Sequence, residues 1–424
     1  MRDNFKEIFT EELKRKLNDH ATVIIDVRPV EAYNGWRLKG EPRGGHIKGA
    51  RSLPAKWLKY IDWIEAVRSK EIRPEQHLIV YGYDEKDPLA VAKRLQDSGY
   101  RNVGVYLHFM DEWSPDLYLP MEQLSGYRHL VYPEWVKELT EGGNPPEFGG
   151  GDFVICHAHY QNPRDYKKGH IPGAISLDTN ILESPDTWNR RSPEELKGSL
   201  EKLGITADTT VILYGRFSFP SNEDPFPGSS AGQIGAIRSA FIMMYAGVKD
   251  VRVLNGAVQS WLDAGFELST IDEFPSPVDD FGAGIPARPE LAVDIAEAKQ
   301  MLASEDAELV CVRSLPEYLG EVSGYHYIEK TGRIPGAIFG HCGSDAYHME
   351  NYRNFDHTTR EYHEIEAMWE EAGILPSKHN AFYCGTGWRG SEAWFNAFLM
   401  GWPRASVFDG GWFEWSSDPE NPVE

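Results

Sequence analysis

Gly45-His46-Ile47-Lys48-Gly49-Ala50, Gly169-His170-Ile171-Pro172-Gly173-Ala174 and Gly332-Arg333-Ile334-Pro335-Gly336-Ala337 are three copies of one glycine-bracketed turn. A β-branched run precedes each copy: Val23 to Arg28, Phe153 to Ala158 and Leu309 to Arg313. A third apolar run follows each (Leu78 to Tyr81, Val211 to Tyr214, Ala381 to Tyr383), then a loop, a helix-period segment, a glycine (Gly99, Gly247, Gly401) and a further strand. Strands alternating with helical stretches predict a mainly parallel sheet flanked by helices on both faces. Recurrence at domain-sized spacing predicts an α/β chain of three tandem domains. Composition places the first over 1–126, the second over 127–274, a proline- and glycine-rich linker over 275–289 and the third over 290–424. Tyr81 and Gly99 are 18 positions apart, as are Tyr383 and Gly401, but Tyr214 and Gly247 are 33 apart. The surplus is the Pro/Ser/Gly-rich stretch 216–230, Arg216 to Ser230, which reads as an inserted surface loop or a lid over a cleft.

Composition narrows the partners. Lys plus Arg number 43 against 65 Asp plus Glu, a formal charge of -22, which repels phosphate backbones and anionic membrane surfaces. Neither nucleic acid nor a membrane is an expected partner, and no apolar run approaches the length of a transmembrane helix. Met1 to Leu17 mixes acidic and basic residues and reads as an amphipathic helix rather than a signal peptide. Four cysteines (Cys156, Cys311, Cys342, Cys384), none in C-x-x-C spacing, exclude a disulfide framework and a zinc ribbon, and a cytoplasmic, reducing setting is expected.

The loops after the third strand differ in chemistry. The first repeat has Gly82 with Asp84, Glu85 and Asp87, which repel an anion, whereas the third reads Cys384-Gly385-Thr386-Gly387-Trp388-Arg389-Gly390. A glycine-rich loop between a strand tip and a helix N-terminus forms an anion-stabilising nest, and a cysteine there beside an arginine becomes a nucleophilic thiolate. Cys384 is the candidate nucleophile, and the first two repeats are expected to be inactive. These residues resemble the rhodanese superfamily across all three repeats, and the arrangement resembles the three-domain sulfurtransferases of bacteria. The resemblance implies a persulfide on Cys384, held in the loop Cys384 to Arg389, and Phe408-Asp409-Gly410-Gly411-Trp412 resembles the family's turn after the fourth strand. Gly385-Thr386-Gly387 resembles mercaptopyruvate sulfurtransferases, while the family's arginine after the first strand is replaced by the acidic Glu317. Arg389 and Arg333 are therefore the candidate substrate cations, ahead of Arg313, and His170 is a candidate proton relay facing Thr386, set against a structural role shared with His46.

The expected reaction is sulfur transfer. A sulfane donor, thiosulfate first and 3-mercaptopyruvate next, loads Cys384, and cyanide or a thiol takes the sulfur. A protein persulfide partner is an alternative, in which the first two repeats dock and the third relays. Cysteine phosphatase or arsenate chemistry is a further alternative, disfavoured because only four residues separate Cys384 from Arg389. No metal or organic cofactor is expected: His341, His348, His357 and His363 lack compact ligand spacing. Cys156 and Cys311 read as packed core residues, and Cys342 as either packed or a resolving thiol. Trp388 is expected to narrow access to the loop.

Overall fold

The computed structural model describes residues 5–216 and 232–424, so most of the insertion 216–230 lies outside the described residues. The chain divides into two compact units, Met1–Arg128 and His129–Glu424. In the first, the main sheet comprises β1 (Lys6–Ile8), β2 (Thr22–Asp26), β3 (Arg51–Ser52), β4 (His77–Tyr81) and β5 (Val103–Tyr106), in order β1-β5-β4-β2-β3, all parallel, and His46–Ile47 pairs separately and antiparallel with Met121–Glu122. The expected N-terminal helix is shorter than predicted: Lys6–Ile8 pairs with β5, and helix begins at Thr10.

The second unit holds two further sheets. One contains β6 (Leu130–Val131), β7 (Phe153–His159), β8 (Ala174–Asp178), β9 (Thr210–Gly215) and β10 (Asp250–Leu254), ordered β6-β10-β9-β7-β8. The other contains β11 (Ala292–Val293), β12 (Ala307–Cys311), β13 (Ile338–Phe339), β14 (His379–Tyr383) and β15 (Ala405–Phe408), ordered β11-β15-β14-β12-β13. All three five-stranded sheets thus share one winding, first-fifth-fourth-second-third. Strand β9 is buried at every residue, as a central parallel strand covered on both faces must be.

The recurrent turn has a local cause. Its second glycine sits at φ +74° in Gly49, +82° in Gly173 and +82° in Gly336, a left-handed backbone that only glycine adopts cheaply. The turn then closes by an alanine N–H donating to the isoleucine carbonyl: Ala50 to Ile47 (2.9 Å), Ala174 to Ile171 (3.0 Å) and Ala337 to Ile334 (3.1 Å). In the first two repeats the tyrosine ending the third strand accepts the isoleucine N–H, Tyr81 from Ile47 (3.0 Å) and Tyr214 from Ile171 (2.8 Å).

The helix following each third strand is α1 (Lys86–Asp97), α2 (Gly232–Ala246) or α3 (Trp388–Met400). Helix α1 is amphipathic, but α2 is buried at every residue, because it packs on its own sheet and on α3. Phe241 of α2 meets Trp394 of α3 edge to face at 5.1 Å. The second and third repeats therefore share one core along these helices. The stretch 275–289 is strapped to the second repeat rather than loose: Val278 N–H donates to Glu201 O (2.9 Å), Ala207 N–H to Phe281 O (2.8 Å) and Arg288 N–H to Tyr245 O (3.1 Å).

Candidate active site

Strand β14 ends at Tyr383; the next residue, Cys384, is fully buried, and the chain turns through Gly385 to Gly387 into α3. Two glycines are sterically required. A Cβ on Gly385 would lie 2.2 Å from the Tyr325 ring, and Gly387, at φ +86°, would bring one within 2.8 Å of the Asp409 carbonyl. The loop carbonyls are braced by the turn into α4 (Gly411–Ser417), where Trp412 N–H donates to Cys384 O and Phe413 N–H to Gly385 O, both at 2.9 Å. The loop and the N-terminus of α3 together supply the electropositive setting that suits a thiolate or persulfide.

Arg389 lies under this loop, fully buried and bound bidentately to Glu317 (Nη1 to Oε2 2.9 Å, Nη2 to Oε1 2.8 Å). It also donates to Tyr325 Oη (2.8 Å), Asp345 O (3.1 Å) and Cys342 Sγ (3.3 Å). Burial alone would push the Glu317 carboxyl up, but the guanidinium and the Ser314 donors outweigh it and hold it below the usual range. The acidic residue at the family's arginine position thus has an internal partner. Arg389, expected to contact substrate, has its donors turned to Glu317, Tyr325 and backbone, where it shapes the loop floor.

Aromatic rings surround the loop. Tyr325 stands 5.3 Å from Tyr327 and 6.2 Å from Tyr347, and Trp188 of the second repeat stacks on Tyr327 (5.3 Å) and on Tyr160 (5.4 Å). Trp388 meets Tyr160 edge-on at 6.0 Å. Tyr325 is buried, whereas Tyr160, Trp188, Tyr327 and Trp388 are half-buried, so a chain of ring contacts runs from the cysteine loop to the second repeat. Burial raises the Tyr325 and Tyr327 hydroxyls far above their ordinary pKa, and a charged Cys384 raises them further, so both remain protonated phenols at neutral pH.

A buried charge network joins the two repeats beside these rings. Trp388 Nε1 donates to Glu183 Oε1 (2.8 Å), and Arg238 Nε donates to Glu183 Oε2 (3.0 Å). Arg238 also pairs with Asp409 (2.5 Å) and donates to the Trp188 carbonyl (2.9 Å), while Arg190 holds Asp409 at 2.8 Å. Burial raises the Glu183 pKa to about 7, against the opposing pull of Arg238.

Other candidates from the sequence fall elsewhere. Both His170 ring nitrogens lie 2.9 Å from backbone carbonyls, those of Tyr166 and Ile271, and the ring stacks on Tyr166 at 3.9 Å. His46 stacks on Tyr33 at 3.7 Å in the same way, which fits the structural role and not the relay. Arg333 takes the equivalent place, over the Tyr318 ring at 4.8 Å and paired with Glu424 at 2.6 Å, and so does not reach the loop. Arg313 donates to Cys311 Sγ (3.2 Å) and Gly332 O (2.7 Å). Burial pushes the Cys156 and Cys342 thiols up to about 12, against a resolving role for Cys342 at neutral pH. His348 pairs with Asp345 at 2.7 Å. In the first repeat, Arg28 is the counterpart of Arg313: it pairs with Asp26 (2.6 Å), donates to Gly45 O (2.6 Å) and lies 4.1 Å from the Phe109 ring centre. The sequence reading missed Tyr160, Glu183, Trp188, Arg238, Tyr325 and Tyr327, which carry no motif. For Tyr325 and Tyr327 the only signal was aromatic density in the repeat carrying the cysteine, and the four residues of the second repeat gave none.

Comparison with known proteins agrees with this geometry. The rhodanese-like domain family matches residues 9–116, 160–264 and 294–418. Thiosulfate sulfurtransferase YnjE of Escherichia coli (strain K12) is 42% identical over 404 residues, covering 94% of this chain and 88% of that protein. The sulfur carrier protein TtuD of Thermus thermophilus is 30% identical over 69% of this chain and 96% of its own. Among solved structures, the anaerobic ergothioneine biosynthesis enzyme from Chlorobium limicola, in complex with its natural substrate trimethyl histidine, is 63% identical with a TM-score of 0.98, covering 99% of each chain. A structure of EanB bearing a cysteine persulfide in a tetrahedral intermediate state with ergothioneine is also 63% identical, with a TM-score of 0.97 over 99% of each chain. With three matched domains and a cysteine loop in the last, the chain belongs to the rhodanese family and is a three-domain sulfurtransferase.

Proposed function

We propose that this sulfurtransferase carries a sulfane sulfur on Cys384 and delivers it to the imidazole ring of trimethyl histidine, the substrate bound by the Chlorobium limicola enzyme. The observation that carries this reading is the aromatic cluster of Tyr160, Trp188, Tyr327 and Trp388 beside the cysteine loop. A quaternary ammonium cannot donate hydrogen bonds and is recognised by aromatic faces, each contributing about 0.5–2 kcal/mol. Support also comes from the EanB substitutions: they fall on a tyrosine and a threonine whose spacings from the persulfide cysteine equal those of Tyr325 and Thr386 from Cys384.

Loading is a displacement at sulfur. The Cys384 thiolate bonds the outer sulfur of a sulfane donor, the donor's bond to that sulfur breaks, and the remainder leaves, as sulfite in the case of thiosulfate. Thiosulfate, in the name of the Escherichia coli relative, is the proposed donor. Loop amides and the α3 N-terminus hold it, since Arg389 faces Glu317. In delivery, the ring carbon between the two nitrogens loses its proton and bonds the outer persulfide sulfur. The S–S bond breaks, and Cys384 leaves as a thiolate whose charge balances the released proton. The step needs no external oxidant. The leaving Cys384 thiolate is the final acceptor of that proton, and Tyr325 and Tyr327, protonated beside the loop, are the proposed relay, each giving up its own proton as it receives the next. Four free thiols fit the cytoplasmic setting proposed for the chain.

The test is to load the protein with thiosulfate and follow two acceptors, cyanide and trimethyl histidine, by mass detection of product. Sulfur appearing on the imidazole supports the reading. Transfer to cyanide alone would restrict the protein to thiosulfate:cyanide chemistry.

A further inference from the structure

The second repeat has no loop cysteine, yet its Tyr160 and Trp188 pack on Trp388 and Tyr327 beside the Cys384 loop. We propose that Glu183 and Arg238 are positioning residues that hold Trp388 opposite Tyr160 and Trp188, and thereby set the affinity for a cationic acceptor. The inference rests on the acceptor reading above and adds to it the reason for a cysteine-free second repeat.

Three observations support it. Trp388 belongs to the cysteine loop, but the only hydrogen bond its indole makes among the described residues goes to Glu183, 205 positions away. The ring lies against Gly235 of α2, where a Cβ would stand 3.1 Å from it, so the second repeat provides both the hydrogen bond and the space for the indole. Trp188 has a φ of +61°, a backbone strained for a bulky residue, and is held there by Arg238 on its carbonyl, Arg190 on Asp409 and Asn189 on Glu414. Asp409 immediately precedes the turn whose amides brace Cys384 and Gly385. One guanidinium, Arg238, therefore touches Glu183, the Trp188 carbonyl and Asp409, linking both aromatic walls to the loop.

Apolar packing of similar volume would join two domains at no smaller stability than buried ions do. What the ions add is direction: a carboxylate oxygen fixes the rotation of one indole. Misrotation of Trp388 removes one aromatic face from the acceptor without touching the thiol. It is expected to raise KM while leaving kcat nearly constant.

The experiment measures KM and kcat for trimethyl histidine with the full-length persulfide-loaded protein. Glu183→Ala should raise KM about 10-fold with kcat changed less than about 3-fold. Glu183→Gln retains an oxygen for the indole and should stay within about 3-fold of the wild-type KM. It also keeps the comparison valid if the alanine variant is unstable. Trp388→Phe, which has a ring but no N–H, should raise KM like Glu183→Ala, and the double variant should be no worse than either single one. An unchanged KM in Glu183→Ala, or a fully additive double variant, overturns the positioning role. Absence of product from the loaded wild type overturns the acceptor reading instead, and the inference with it.

Discussion

At the scale of single residues, the site is defined by one thiol and by charges that neutralise each other. Cys384→Ser should abolish sulfur transfer, while Cys156→Ser, Cys311→Ser and Cys342→Ser should retain most of it, read as mass added to the Cys384 peptide after thiosulfate loading. Arg389→Ala leaves the buried Glu317 carboxylate without its guanidinium, and the expected cost is about 3–5 kcal/mol of stability, visible as a lower denaturant midpoint. Glu183 responds to pH in a defined sense. Its folded pKa, about 7, is raised above the unfolded value, so its contribution to stability is full below the unfolded carboxyl pKa and is lost as pH rises through about 7. The groups facing it are Arg238, Trp388 and, through Arg238, Asp409. The melting temperature of Glu183→Gln relative to wild type should therefore increase between pH 5 and pH 8 at fixed ionic strength. A constant difference would show that Glu183 keeps one protonation state in both forms.

At the scale of elements, the cysteine loop is held by fit rather than by regular structure. Gly385→Ala places a Cβ into the Tyr325 ring, and relief requires moving either the phenol or the cysteine. Sulfur transfer should fall about 10-fold or more, with the loss largest in delivery to the acceptor, where Tyr325 is assigned, as single-turnover measurements of the two half-reactions would show. The glycine-bracketed turns behave differently. They recur because a left-handed glycine and an N–H to carbonyl closure are local requirements, and this is why they were legible in the sequence. The cysteine at the strand tip was legible for the same reason, since strand, glycine loop and helix are contiguous. Glu317 was visible as a departure, but its meaning was not, because its partner Arg389 lies 72 positions away.

At the scale of the molecule, three copies of one winding carry unequal chemistry. In the first, Gly82 stands at the strand tip where the third has Cys384, and the Asp26–Arg28 pair, with Tyr81 donating to Asp26 at 2.7 Å, braces the neighbouring strand end. Residues 129–424 form one compact unit and should load sulfur on Cys384 when produced without the first unit, as intact-mass measurement would show. Residues 290–424 alone lack Tyr160, Glu183, Trp188 and Arg238, and should lose binding of trimethyl histidine measured by calorimetry. Equal affinity in that fragment would place the acceptor wholly within the third repeat. No described helix is long and apolar enough to cross a membrane.

The sequence by itself determined the α/β class, the threefold repetition and which strand-tip loop carries a cysteine, because each rests on turn chemistry and periodicity within a few consecutive residues. Only the tertiary structure decided what Arg389, Arg333 and His170 meet, since Glu317, Glu424 and the Ile271 carbonyl lie 72, 91 and 101 positions from them. It also brought Glu183, Trp188 and Arg238 of one repeat against Trp388 and Asp409 of another. That juxtaposition follows from the packing of α2 on α3, a property of two apolar helix surfaces that no local pattern encodes.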